Sequence, residues 1–415
     1  MKPIIKNLKK IWWRLKSFSA RHYFGNPSRK LKVVGVTGTN GKTTTATLLY
    51  RIATALGYKA GLIGTVENIV AGEVRGVTHT TPDSVTLTKL LSEMADKECE
   101  YVFMEVSSHA VDQNRVAGIK FTGGIFTNLT HDHLDYHQTF EKYFEAKKKF
   151  FQMLPVSAFA LSNADDEYGK KMLEGIEARK FLYEFSNVDG TATLYNSFRG
   201  ELVKADFSGL ELRFEKTNIK SKLLGKFNAY NLLTVWSASN LLGFDMVKVN
   251  KILETIEPPR GRFEHFTSPK GVLVIVDYAH TPDALEKVLM VAREIKPEGK
   301  KLISVFGCGG DRDPLKRSKM GRIGATLSDM AIFTSDNPRN EDPEKIIWEM
   351  QADLLPGSSE NIKAIPDRRE AIKESVRIAE SGDIILCAGK GHEDYQDIKG
   401  VKNHFNDVEE YRKLF

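Results

Sequence analysis

The stretch from Val33 to Leu49, VVGVTGTNGKTTTATLL, constrains this chain more than any other. An apolar run of strand character enters a glycine-rich turn ending in Gly41-Lys42-Thr43, and a threonine-rich helix start follows. Such a strand, turn and helix make a phosphate cradle. Gly38 and Gly41 let backbone N–H groups approach an anion, and the helix points its positive end at it. Lys42 then reaches the terminal phosphates of a nucleotide and Thr43 the magnesium ion. The spacing is irregular, because the usual pattern asks for glycine six positions before the lysine, where Val36 stands, and Gly35 comes one residue early. A Gly-Lys-Thr falling by chance in a surface turn is the bland alternative, and the flanking strand and helix argue against it.

Strand and helix signals alternate after the cradle, which predicts an α/β fold with a mostly parallel sheet covered on both faces. Strands are expected at 32–36, 60–66, 101–106, 120–128 and 157–163, and helices at 42–56, 84–95, 140–153 and 225–242, with a hairpin or small meander in 190–216. IEPPRGRFE, residues 256–264, reads as a linker. The alternation then restarts with strands at 272–276, 302–306, 330–334 and 383–387. Each runs into a polar loop, respectively DYAHTPD, GCGGDRD, SDNPRNEDP and AGKGHED. Ligands bind at the carboxyl ends of strands in open parallel sheets, so these four loops define one rim. The expected organisation is a P-loop NTPase-like central domain over 31–260 and a Rossmann-like α/β domain over 261–415, preceded by a basic segment, 1–30.

With 415 residues the chain can bury more than one core. Its net charge of +6 looks like a sign of an anionic partner until it is located. Residues 1–32 hold ten Lys or Arg and no acid, so the remaining 383 carry 50 basic against 54 acidic groups, a net of −4. That balance excludes nucleic acid as a partner of the body of the protein. The head itself, residues 1–24, spaces Ile4, Ile5, Leu8, Ile11, Trp12, Leu15 and Phe18 at near-helical intervals among lysines. Peripheral contact with an anionic membrane is one reading; packing of the Trp face on the protein body is the other. The segment is too short and too charged to span a bilayer, and it lacks the apolar core and cleavage site of a signal peptide. Cys99, Cys308 and Cys387 are widely spaced and indicate neither disulfide framework nor zinc site, which fits a reducing cytoplasm.

A nucleotide phosphate needs a divalent cation, and the cation needs ligands near the cradle. Glu105, ending an apolar strand, and His133, within NLTHDHLDYH, are candidates; each also has a bland reading, as an ion-pair partner or a structural histidine. Lys147 lies in YFEAKKKFF, where three consecutive lysines ordinarily mark a solvated face.

TGTNGKT, HTTPD, EVSSHAVDQNRV, FTNLTHDHLDYH, YFEAK, GKFNAYN, GRFE, VDYAHTPD, GCGGDRD, DNPRNEDP and AGKGHEDYQ occur in this order, and together they resemble the Mur ligase family over residues 31–415. Within it the likeness is strongest to the branch that adds the third residue of the peptidoglycan peptide. The family's own P-loop has the same shifted glycine. The resemblance implies ATP-dependent amide formation through an acyl phosphate, with Mg2+. By similarity, Gly38, Thr39, Asn40, Gly41, Lys42, Thr43, Thr44, Asn231, Arg262, Asp277, His280 and Arg317 bind ATP, while Thr43 and Glu105 hold magnesium. His133 and a carbamylated Lys147 serve a second ion, and Lys42, Glu105, His133 and Lys147 form the catalytic set. Thr80, Thr81, Ser107, Gln113 and Arg115 match positions that hold the muramoyl-dipeptide acceptor. Arg312, Asp336, Asn337, Arg339, Gly389 and Glu393 match the amino-acid site, where DNPR goes with meso-diaminopimelate: Arg339 and Arg312 take its distal carboxylate and Glu393 the ammonium.

Relatives carry an additional N-terminal domain for the UDP moiety, and none is expected here, since the cradle starts near residue 33. The acceptor is therefore either UDP-linked with weaker uridine contacts, supplemented by another protein, or a lipid-linked or recycled muropeptide. Another amide ligase of the superfamily, such as a folylpolyglutamate or cyanophycin synthetase, and a catalytically silent nucleotide-binding scaffold are the competing classes. A monomer is expected.

Overall fold

A computed structural model of the chain describes residues 2–130, 134–185, 195–354 and 361–415. It divides into two compact units. The first takes in residues 1–203, 211–221 and 227–256, and the second 204–210, 222–226 and 257–415.

At the centre of the first unit lies Lys32–Thr37, hydrogen-bonded in parallel to Tyr101–Glu105 on one side and Phe121–Phe126 on the other. A strand buried on both faces must be apolar throughout, and Val33, Val34 and Val36 are fully buried. Gly35, which falls out of step with the usual phosphate motif, has a packing role. A Cβ there would come within 2.6 Å of the Phe150 ring, so the helix Phe140–Gln152 approaches the sheet at this point. The parallel order continues outward through Phe159–Asn163, Arg179–Glu184 and Asn196–Asp206, and on the other edge through Ala60–Ile63, in a sheet of eleven strands among the described residues.

The strand expected over 60–66 stops at Ile63. Its backbone turns because Thr65 N donates to the Glu105 carboxylate at 2.7 Å and Gly64 N to Asn68 Oδ1 at 3.2 Å. An antiparallel ribbon, Asn68–Val70 with Glu73–Arg75, then extends the edge. The sequence reading did not anticipate this ribbon. The basic head forms the helix Lys2–Tyr23.

In the second unit six strands run in the spatial order Glu264–Thr267, Leu273–Asp277, Ile384–Ala388, Leu302–Phe306, Met330–Phe333 and Ile362–Ala364. Only the first pair is antiparallel. The carboxyl ends of the four central strands therefore share one rim. A hairpin of Tyr395–Ile398 with Val401–His404 accompanies it.

One buried ion pair ties this rim together. Arg368 Nε and Nη2 donate to the two oxygens of Asp407, each at 2.8 Å, with both side chains wholly buried. Nη2 also donates to Ala388 O at 3.1 Å, so the pair supports the AGKGHED loop from beneath. Removing one partner leaves an uncompensated buried charge. We expect Asp407→Ala to lose about 3–5 kcal/mol of stability in urea unfolding, far more than Lys287→Ala, whose exposed pair with Asp283 is worth at most about 1 kcal/mol.

Candidate active site

The cradle has the geometry its sequence requires. Gly41, at φ 81°, caps the helix Lys42–Ala55 in a left-handed conformation, and a Cβ there would lie 2.6 Å from Asn231 Oδ1. Glycine is thus needed on two counts. The loop is braced by the strand-end residues after Phe126. Thr39 N donates to Asn128 O at 2.8 Å, Asn40 N to Asn128 Oδ1 at 2.9 Å, and Thr127 Oγ1 to Asn40 O at 2.6 Å. Lys42 Nζ folds back on the loop, donating to the carbonyls of Gly38 at 2.9 Å and Thr39 at 2.7 Å. Thr44 is buried in the first turn. Asn231, on the helix Lys226–Leu241, donates to Asn228 Oδ1 at 2.9 Å beside the loop.

Glu105 is the hub of the first unit's site and is 1% exposed. Its carboxylate accepts from Thr43 Oγ1 at 3.0 Å, Thr65 N at 2.7 Å and Thr65 Oγ1 at 3.2 Å. The predicted pair Thr43 and Glu105 is therefore together, and their oxygens are the hard ligands that Mg2+ prefers. The expected acceptor residues adjoin the same hub. Thr65 Oγ1, its proton on Glu105, accepts from Thr80 Oγ1 at 3.0 Å, and Thr81 Oγ1 donates to the Glu105 carbonyl at 2.8 Å and accepts from Ser107 N at 3.0 Å. Arg115 Nη1 donates to Thr81 O at 2.7 Å and its Nε to Gln113 Oε1 at 2.9 Å. Burial pulls the Arg115 pKa down from its ordinary value.

Lys147 is not on a solvated face. It is 1% exposed, with Nζ donating to Gly38 O at 2.7 Å and lying 4.5 Å from the Tyr143 ring centre. Tyr143 in turn shares a hydrogen bond with Thr39 Oγ1 at 3.1 Å, so the 140–152 helix reaches the cradle through two side chains. His133 lies outside the described residues.

In the second unit, Asn337 Nδ2 donates to Glu393 Oε2 at 2.8 Å, which joins the DNPR and GKGHE loops. Lys390, wholly buried, sits between them. Its Nζ donates to Asn337 Oδ1 at 3.2 Å and lies 3.5 Å from Glu393 Oε2 and 3.8 Å from Asp336 Oδ1. That Asp336 oxygen is buried and has no hydrogen-bond partner among the described residues. Arg339 Nη1 donates to Gly310 O at 2.6 Å. A Cβ on Gly309 would lie 3.0 Å from Arg339 Nη1 and 3.7 Å from Arg312 Cγ, so the two arginines flank one backbone position. Gly389, at φ 112°, faces Asp336. A cavity of about 520 Å³ opens beside this group, and of the expected amino-acid residues only Arg339 lines it.

Arg317, expected at the nucleotide phosphates, has internal partners. It is buried, and its guanidinium grips Glu341 at 2.8 and 2.9 Å and Glu349 at 2.6 Å. Nη1 and Nη2 are directed at these carboxylates, Nη2 also donates to Gly309 O at 3.4 Å, and the hydrogen bond to Arg317 pulls the Glu341 carboxyl down to about 2. Buried Asp277 accepts from Phe263 N at 2.7 Å and Ala279 N at 2.9 Å, and burial pushes its carboxyl up. Arg262 lies 5.2 Å from the Tyr278 ring centre, and the rings of His280 and His392 flank Tyr278 at 4.5 and 4.8 Å. Sequence reasoning missed Thr65, Thr127, Tyr143, Lys390 and His392. Gly64-Thr65 did carry a signal, being a small polar pair at the end of an apolar strand.

The model of the Mur ligase middle domain matches residues 36–239, and that of the Mur ligase glutamate ligase domain matches 261–391. Among curated proteins, a UDP-N-acetylmuramoyl-L-alanyl-D-glutamate--2,6-diaminopimelate ligase of Parabacteroides distasonis is 49% identical over 393 residues, 95% of this chain and 79% of its own. One of the same name from Cytophaga hutchinsonii is 50% identical over 388 residues, 94% of this chain and 78% of its own. A solved structure of a ligase of that name superposes with a TM-score of 0.69 at 34% identity, over 92% of this chain and 78% of the other. A folylpolyglutamate synthase from Thermotoga maritima, TM-score 0.68 at 15% identity over 89% of each chain, shares the fold alone.

His392 supplies a pH test. Burial first, then Arg262 and Arg260, push its imidazole down to about 4, below the ordinary 6.5. A base with a depressed folded pKa is neutral at pH 7, and the unfolded chain takes up its proton first as the pH falls. Stability is therefore expected to decline between about pH 6.5 and 4 through this residue. Urea unfolding at pH 7 and pH 5 should show a smaller decline for His392→Gln than for the unaltered chain.

Proposed function

The chain belongs to the Mur ligase family, and from that premise we propose that it is an ATP-dependent ligase joining meso-diaminopimelate to the D-glutamyl carboxylate of a muramoyl-L-Ala-D-Glu acceptor. The observation that carries this reading is the joining of the DNPR and GKGHE loops through Asn337 and Glu393, with Arg312 of GDRD beside Arg339, so that Arg339, Arg312, Asp336, Asn337 and Glu393 come from loops on one rim. A zwitterionic distal carbon needs a cation for its carboxylate and anions for its ammonium. The guanidiniums of Arg339 and Arg312 offer the first, and the carboxylates of Glu393 and Asp336, which also face buried Lys390, the second.

The reaction proceeds in two displacements. A carboxylate oxygen of the acceptor attacks the γ-phosphorus of ATP and ADP leaves, giving an acyl phosphate. The amine of the amino acid then attacks the acyl carbon, and the tetrahedral adduct expels phosphate and loses a proton. Positioning and charge neutralisation supply most of such catalysis. Lys42, held over the carbonyls of Gly38 and Thr39, needs only to swing from them to a phosphate. Thr43 and Glu105 would hold Mg2+, which offsets phosphate charge. Thr80, Thr81, Ser107, Gln113 and Arg115 would hold the acceptor. Lys147, carbamylated, would place an anion beside Gly38 to assist a second ion, together with His133. Asn231, Arg262, Asp277 and His280 would contact the nucleotide. Arg317 would act indirectly, by fixing the GDRD and DNPR loops through Glu341.

L-Lysine lacks the distal carboxylate and would leave a guanidinium unpaired, at about 1–3 kcal/mol or more. We expect the purified chain to turn over meso-diaminopimelate at least about tenfold more efficiently than L-lysine, and Arg339→Ala to erase that preference, chiefly through KM, with Arg339→Lys recovering part of it. Equal use of both amino acids by the unaltered chain would remove Arg339 from the specificity role. Acceptors should be compared in parallel, UDP-linked, lipid-linked and free. Equal rates on all three would show that the UDP group is not required.

A further inference from the structure

The helix Lys2–Tyr23 has two faces with different fates. Its inner face is fastened to the first unit. Ser17 Oγ donates to Asn114 O at 2.7 Å, Arg21 Nη1 to Gly118 O at 3.0 Å, and Lys16 Nζ pairs with Asp83 at 3.0 Å. Ser17 and Ala20 are buried there. These anchor points are not scattered. Asp83 follows Thr80 and Thr81 and caps the helix Ser84–Asp96, while Asn114 lies between Gln113 and Arg115. The helix thus grips the two segments assigned above to the acceptor.

Its outer face carries Trp12, Leu15 and Phe18, spaced three apart and 58%, 60% and 58% exposed, with Tyr23 exposed beyond them. Three large apolar side chains standing together in solvent on one helix call for a partner. The charge of the helix says which kind. It contains seven lysines or arginines and no acid, whereas the chain beyond residue 32 is net negative. Two copies of so basic a helix would repel each other, which argues against self-pairing. A surface that takes aromatic side chains and attracts cations is an anionic bilayer, which amphipathic helices with Trp, Phe and Leu among lysines enter at headgroup depth. No helix among the described residues is long and apolar enough to cross a membrane, so contact of this kind is peripheral.

We infer that the helix Lys2–Tyr23 docks the protein on an anionic membrane surface through Trp12, Leu15 and Phe18, and so presents the segments around Asp83 and Asn114 close to that surface. This goes beyond the ligase reading, and its test needs neither ATP nor amino acid, so the two stand or fall separately. The full chain is sedimented with vesicles of phosphatidylcholine mixed with phosphatidylglycerol, and with phosphatidylcholine alone. Binding is expected only to the mixed vesicles and should weaken as salt is raised. The triple variant Trp12→Ser, Leu15→Ser, Phe18→Ser should lower partition by about tenfold or more with an unchanged melting temperature, and Trp12→Ser alone should fall between. Sedimentation of the unaltered chain with neither vesicle would overturn the inference, as would equal partition of the triple variant. Self-association abolished by the triple variant, without lipid binding, would assign the face to a second copy instead.

Discussion

The carboxylate of Glu105 is the constraint around which the first unit is arranged. An acid at the end of a strand buried on both faces must find donors in place of water, because an unpaired carboxylate there would cost several kcal/mol. Thr43 and Thr65 supply them. Thr43 opens the helix after the phosphate loop, so satisfying Glu105 fixes the start of that helix. Thr65 turns the chain just past the neighbouring strand, which stops at Ile63, so the same demand creates the turn from which the Asn68–Arg75 ribbon grows. The Glu105 carbonyl then takes Thr81, and Arg115 takes the Thr81 carbonyl. The phosphate loop, the turn at Thr65 and the segments around Thr81 and Arg115 are thereby registered on one side chain.

The second unit solves the converse problem with a cation. Lys390 is wholly buried among Asn337, Glu393 and Asp336, and the Arg368–Asp407 pair beneath it holds the strand end at Ala388. Charges inside a low-dielectric rim are costly unless paired, and pairs that bridge loops convert that cost into positional order. Glycines complete the arrangement by letting backbones close in. A side chain at Gly307 or Gly310 would run into the carbonyls of Thr334 and Pro338. Five charged side chains from three loops can then gather on one rim.

Much of this was legible in the residues alone. Apolar runs ending in polar, glycine-bearing loops located the central strands of both sheets, since a buried parallel strand has no polar alternation to blur its signal. The irregular glycine proved informative, because Gly35 serves the Phe150 packing contact and Gly38 and Gly41 serve the loop. What could not be read was the partnering of charges. Lys147 stands in a run of three lysines that looks solvated, and its burial depends on helix phase against a distant strand. The partners of Arg317, Glu341 and Glu349, are remote from it in sequence, and no local pattern announces them. Thr65 and Lys390 act through three-dimensional neighbours that no local pattern encodes.

The central claim is that the chain couples ATP cleavage to amide formation between a muramoyl dipeptide and meso-diaminopimelate. The most direct measurement follows ADP release and the mass of the acceptor together, with each component omitted in turn. The account predicts sustained ADP turnover, beyond one equivalent per enzyme, only when acceptor, amino acid and ATP are all present, matched one to one by an acceptor heavier by one diaminopimelyl residue. ADP release at the same rate without the amino acid, or no acceptor product under full conditions, would contradict it.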